Sequence, residues 1–198
     1  MLEIERKWLV DVKNIPAKYL LSWTTKDPAF AIAESTILFM KHIQQCYSDV
    51  EGIPARVRSQ NVLHLVDGTF KQEHESFLTQ KTLLEEGGNL VRKEIELPIP
   101  NRWAYRILDE DATVVLHKTR TGIPCGNFVI ELDHLLLLKD NRFGVKGCTK
   151  LDFYMAEVEF KSIEDALAFE APGWFGLEVT EDKRYGNQSI TYNGLPKE

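Results

Sequence analysis

The 198-residue chain is poor in several features that commonly decide what a protein is. It has no apolar run near the ~18 to 20 residues that a membrane-crossing helix requires. The run Leu135–Leu138 is a fragment by that measure. Cys46, Cys125 and Cys148 are its only cysteines, widely spaced and without a CxxC pair. That argues against both a disulfide framework and a zinc site, and free thiols are expected. There is no basic excess either: the formal net charge is -6, whereas nucleic-acid binding calls for a basic face. Neither nucleic acid nor membrane is expected as a partner. Solenoid repeats and low-complexity tracts are also missing. The first five residues hold two glutamates and none of the basic start, apolar stretch and cleavage site of a secretory signal. The cytoplasm is the expected compartment.

What is present suits one globular core, with 43% hydrophobic and 27% charged residues. A single domain over 1–198 is expected. Most of the chain reads as short strands of alternating parity separated by turns. Strands are predicted at 2–10, at about 37–48, and in "ARVRSQNVLHLV", "TFKQEHESFLTQKTLL", "LVRKEIELPI", "TVVLHKTRT", "FVIELDHLLLL" and "LDFYMAEVEF". Turns are predicted at Asp67-Gly68 and at "EEGGN". Helices are predicted at about 15–23, over "NRWAYRILDEDA" with Asn101 as cap and Trp103, Ile107 and Leu108 on one side, and over "IEDALAFE" after Ser162. The stretch 24–35 is an excursion. The pattern points to an antiparallel sheet or barrel with a few helices outside it, an α+β chain that is mainly β.

The polar faces of these strands are unusual. Glu3, Glu5 and Lys7 share one face, as do Arg56 and Arg58; Arg92, Glu94 and Glu96; Lys118 and Arg120; Glu131 and Asp133; and Glu157 and Glu159. A solvated outer face is the bland reading of any one strand. Across the set, like charges at i and i+2 stand ~6.5 to 7 Å apart and repel unless opposite charge lies between them. The apolar faces need cover, and the helices supply it. Helices outside and charges inside describe a closed sheet with a polar lumen. Arg/Lys pairs suit a polyphosphate, and a nearby carboxylate cluster with only hard oxygen donors suits Mg²⁺ or Mn²⁺.

At this point the motifs resemble a known family. "EIERK" is similar to the N-terminal ExExK signature of the CYTH family, the triphosphate tunnel metalloenzymes, which include class IV adenylate cyclases, thiamine triphosphatases and inorganic triphosphatases. "RVR", "FLTQK", "LVRKEIE", "HKTRT", "IELD", "AEVEF" and "GLEVTEDKRYGN" follow in the family's order. The resemblance implies an eight-stranded closed antiparallel barrel, a tunnel holding triphosphate, with helices packed outside. It implies metal binding by Glu3, Glu5, Asp133, Glu157 and Glu159. It implies triphosphate binding by Lys7, Arg56, Arg58, Lys81, Arg92, Lys118 and Arg120, and by Lys183 or Arg184 in a C-terminal segment that closes over the tunnel. Glu94, Glu96 and Glu131 are implied supports. Lys81 and Glu96 have outward surface positions as the bland alternative. His64, His74, His117 and His134 lack metal-like spacing and read as structural or surface residues, and Trp174 and Phe175 read as packing.

The reading that follows is a metal-dependent triphosphatase, monomer or homodimer, that hydrolyses the terminal phosphate of inorganic triphosphate or a related small molecule. Glu157, Glu159 and Lys7 are its expected catalytic residues. The alternatives are a class IV-type adenylate cyclase, a thiamine triphosphatase and a non-catalytic polyphosphate-binding module.

Overall fold

The computed structural model describes residues 2–20, 37–50, 53–66, 69–83, 91–140 and 147–197. The predicted excursion at 24–35 and both predicted turns, Asp67-Gly68 and "EEGGN", lie outside the described residues. Alternating parity does produce strands: β1 (Leu2–Val10), β2 (Phe39–Val50), β3 (Ile53–Val66), β4 (Thr69–Leu83), β5 (Val91–Pro98), β6 (Val114–Cys125), β7 (Phe128–Asp140) and β8 (Gly147–Phe160). All pair antiparallel, in the ring order β1-β5-β4-β3-β2-β6-β7-β8, with β8 returning to β1.

The expectation of a barrel closed by eight strands along its length needs correction at one seam. Among the described residues β1 and β5 share the pairs Leu2↔Lys93, Glu3↔Arg92 and Ile4↔Val91. Beyond Ile4 that edge of β1 belongs to the C-terminal segment instead. Val179 N donates to Lys7 O (2.8 Å), Leu9 N to Leu177 O (2.8 Å) and Gly176 N to Leu9 O (2.9 Å), and Trp8 bridges Glu178. At its other end β5 runs on past the start of β1 to Pro98, and its Ile95 and Leu97 remain 47% and 54% exposed. Among the described residues three of the nine β1 residues pair with β5, and the tail of the chain takes that edge at Lys7 and Leu9.

The helices among the described residues are short: α1 (Asn101–Arg106), running into a π-helical turn at Ile107–Asp111, α2 (Ile163–Ala168) and α3 (Asn187–Asn193). Of the helix predicted at about 15–23, the described residues 15–20 carry one 3-10 turn, Ala17–Tyr19, after another at Val12–Asn14, in place of an α-helix. Pro16 lacks an N–H and holds Ile15 extended, at φ -69 and ψ 126, which splits the segment. Pro100, not Asn101, occupies the α1 cap position. Trp103 is 56% exposed, so Ala104 and Leu108 carry the packed face, against Cys46, Val57 and Val115.

Apolar outer faces form the larger core: Ile4, Trp8 and Val10 of β1, Ile130 and Leu132 of β7, and Ala156, Val158 and Phe160 of β8, closed by Ala166 of α2 and by Phe169. Ser162 caps α2 as its side chain accepts from Asp165 N. A further cluster lies on the inner face. Leu135 and Met155 stand opposite Lys118 and Asp133 in register, and with Leu116 and Leu138 they meet Ile190 of α3. Part of the lumen is therefore filled by apolar side chains under α3. Among the described residues no helix is long and apolar enough to cross a membrane.

Candidate active site

Because side chains alternate across a strand, the odd residues of β1 all face inward, and register then chooses their neighbours. Glu5 stands opposite Glu159 and Lys7 opposite Glu157 across β1 and β8. Glu157 in turn faces Glu131 on β7, and Arg120 on β6 faces Asp133. These inward rows surround a cavity of about 1040 Å³.

One side of the cavity is a dense ion-pair network. Arg120 grips Asp133 with two bonds, Nε to Oδ1 at 2.6 Å and Nη2 to Oδ2 at 2.7 Å, and also reaches Glu131 and Glu157. Lys118 Nζ lies 2.5 Å from Asp133 Oδ2, with both side chains fully buried. Lys7 Nζ lies 2.7 Å from Glu157 and 3.3 Å from Glu5. Burial alone would raise the Glu157 and Asp133 carboxyls. Lys7, Arg120 and Lys118 around Glu157, and Arg120 and Lys118 around Asp133, outweigh it and hold both below the usual carboxylate range. Burial, helped by Arg120, pulls Lys118 down to about 8.

A second group crosses the β3–β4–β5 wall. Arg56 Nη2 donates to Thr79 Oγ1 (3.1 Å), Glu94 (3.2 Å) and Glu96 (3.4 Å). Lys81 Nζ lies 2.5 Å from Glu3 and 3.6 Å from Glu94. Lys81 and Glu96 therefore face the cavity, not the outer surface. Burial, with Arg56 and Arg120 nearby, lowers Arg58 to about 10, and its Nε has no hydrogen-bond partner.

At the β1–β8 end three carboxylates converge. Oxygens of Glu3, Glu5 and Glu159 all lie within 4.8 Å of one another. Glu159 reaches solvent at the cavity mouth, yet desolvation first, then Glu131 and Glu3, push it up to about 7. Burial raises Glu3 against the pull of Lys81, and its buried Oε2 has no hydrogen-bond partner. Three hard oxygen donors with mutual repulsion and an orphaned oxygen fit a divalent cation such as Mg²⁺ or Mn²⁺.

The other sequence-derived positions sort by place. Asp133 and Lys118 lie behind the cavity wall, outside its lining. Arg92 pairs by backbone with Glu3, but its side chain lies outside the described residues. Of the C-terminal pair, Lys183 lines the cavity, whereas Arg184 binds Asp182 at 2.6 Å on the exposed surface. Lys41, Tyr47, Thr180 and the α3 residues Ser189 and Tyr192 also line the cavity. Sequence reasoning missed Lys41 because its strand face, Lys41, Ile43, Gln45 and Tyr47, carries no like-charge pair. His117 packs near His42 with ring centroids 6.4 Å apart, and Trp174 and Phe175 pack against the larger core.

No family model matches the chain. An inorganic triphosphatase of Nitrosomonas europaea is 58% identical over 36 residues, 18% of this chain and 24% of that protein. The aligned stretch thus spans about a quarter of the curated relative. Two solved structures of one protein match nearly the whole chain. One, presented as a hypothetical protein, has a TM-score of 0.53 at 27% identity and covers 98% of this chain and 99% of its own. The other, presented as the inorganic triphosphatase, has a TM-score of 0.54 at 24% identity and covers 98% and 97%.

Proposed function

We propose, for a chain whose ordered motifs resemble the CYTH family and whose fold matches solved structures of an inorganic triphosphatase, that it is a phosphohydrolase acting on triphosphates, with inorganic triphosphate as first substrate. The observation that carries this reading is the meeting, in one cavity, of the Glu3, Glu5, Glu159 carboxylates with a wall of cations that includes Arg56, Arg58, Lys81 and Arg120. A pure anion binder has no use for so much negative charge beside its ligand. The relatives support it, since one is an inorganic triphosphatase.

Glu3, Glu5 and Glu159 would hold Mg²⁺ or Mn²⁺. A bound divalent ion offsets the repulsion of the three carboxylates and polarises phosphoryl oxygens. The guanidinium forks of Arg56 and Arg58 bind the phosphate chain and keep it aligned for in-line displacement. Lys7, at the junction of carboxylates and cations, stabilises charge that grows on the phosphates as the terminal group leaves. Glu157 and Glu159 stand on β8 beside Lys7 and the carboxylate cluster, and a carboxylate of this pair accepts the proton of the attacking water.

The test is orthophosphate release from inorganic triphosphate, ATP and thiamine triphosphate with Mg²⁺, with Mn²⁺ and with chelator, scoring cyclic AMP and pyrophosphate in the ATP samples. Metal-dependent orthophosphate from triphosphate, far in excess of ATP turnover, is expected. Cyclic AMP with pyrophosphate, or tight binding without turnover, would overturn the reading.

A further inference from the structure

The cations around the cavity are not equally committed. Arg120, Lys118 and Lys7 are matched by Asp133, Glu131, Glu157 and Glu5, and Arg56 and Lys81 by Glu94, Glu96 and Glu3. Among the described residues, Lys41 and Arg58 line the same cavity and have no ion-pair partner. Arg58 belongs to a motif with an obvious phosphate role. Lys41 belongs to none.

The position of Lys41 is nevertheless built. It stands opposite Arg120 on β6 and Val62 on β3, on the inner face. Its ammonium lies 4.8 Å from the centre of the Phe39 ring, a cation–π distance. Phe39 is opposite Gly122, where a Cβ would fall 2.4 to 2.7 Å from the ring. Only a residue without a side chain lets the ring lie there. Gly122 thus seats Phe39, and Phe39 supports Lys41. Burial, together with Arg120 and Arg58, lowers the ammonium's pKa against the pull of Glu131. A desolvated cation beside two guanidinium groups gains from any anion that arrives between them.

We propose that Lys41, seated by Phe39 and Gly122, is an anion-binding residue of the cavity that takes a phosphate oxygen of the ligand jointly with Arg58. The inference rests on the triphosphate reading above. Lys41 binds before and during the reaction alike, so its removal raises KM and leaves kcat nearly unchanged.

The experiment is calorimetric titration of the full chain with inorganic triphosphate in chelator, alongside steady-state kinetics with metal. Lys41→Met is expected to bind at least tenfold more weakly, Lys41→Arg within about threefold of the parent, and Gly122→Ala to weaken binding by displacing the ring. If Lys41→Met does not fold, Lys41→Arg and Gly122→Ala carry the test, and equal affinity in Gly122→Ala and the parent overturns the proposal. Parent protein that binds triphosphate, with Lys41→Met binding equally well, overturns the role of Lys41 alone. Parent protein that neither binds nor hydrolyses triphosphate removes the functional reading, and this proposal with it.

Discussion

Glu5 and Glu159 stand directly opposite each other across the β1–β8 ladder. Like charges in that position destabilise a sheet by a few tenths to about 1 kcal/mol. Another facing acidic pair, Glu131 and Glu157, has Arg120 bonded to both members. Lys7 reaches Glu5 at 3.3 Å, and no ion pair to Glu159 is seen among the described residues, so the first pair is the one whose repulsion a bound cation would relieve.

Glu159→Gln should therefore raise the melting temperature slightly in chelator, because a repulsion is removed. The same variant should lose most of the thermal stabilisation that millimolar Mg²⁺ gives the parent, and at least a hundredfold in phosphate release. Thermal scans with and without Mg²⁺ test both effects. An unchanged Mg²⁺ shift would exclude Glu159 from the cation site.

Arg120→Met leaves Asp133, Glu131 and Glu157 without their shared guanidinium. Removing one partner of a buried pair costs about 3–5 kcal/mol, and urea unfolding should read a loss of that order. Arg120→Lys keeps the charge but not the fork, so its loss should be intermediate. A change under 1 kcal/mol in Arg120→Met would mean that the network is not held by Arg120.

The tail is fixed to β1 by Arg6, whose Nε and Nη2 bond Glu178 at 2.8 and 2.6 Å, and whose Nη1 bonds Ala166 O at 2.7 Å and Phe169 O at 3.1 Å. Gly176 passes so near that a Cβ would sit 2.8 Å from Leu9 O. Arg6→Met should cost about 2 kcal/mol, and Gly176→Ala should speed amide exchange in 176–183. Both should raise KM, since Val179, Thr180 and Lys183 line the cavity. Unchanged exchange in this segment would refute the pairing.

Acid should weaken the fold partly through His117, which burial first, then His42 and Lys139, lower from 6.5 to about 4. The folded state keeps it neutral while the unfolded chain protonates below about 6.5. Its contribution is complete above that pH and falls away between 6.5 and about 4. His117→Leu should flatten the stability-versus-pH curve in that window relative to the parent, as measured by urea midpoints. Parallel curves would show that His117 titrates alike in both states.

Much of the site was legible because a strand's period is two. Reading Glu3, Glu5 and Lys7, or Arg56 and Arg58, as one face needs no knowledge of what lies opposite. The helix from 15 was misread because Pro16 outweighs an apolar stripe. Lys41 was invisible because Ile43 and Gln45 share its face, so neither charge pairing nor family motif marked it.

The sequence by itself determined the strands and their inward charges, and the family resemblance marked Lys183 or Arg184 as a candidate contact. Only the tertiary structure decided which charges meet. Register brought Glu5 to Glu159 but placed Arg120 among Asp133, Glu131 and Glu157. Side-chain capture of Arg184 by Asp182 left Lys183 to the cavity, and backbone pairing of 176–179 with β1 completed the seam that β5 leaves. Alternation is local and survives in any sheet, whereas partner choice depends on register, tilt and chain path, which contacts distant in sequence settle.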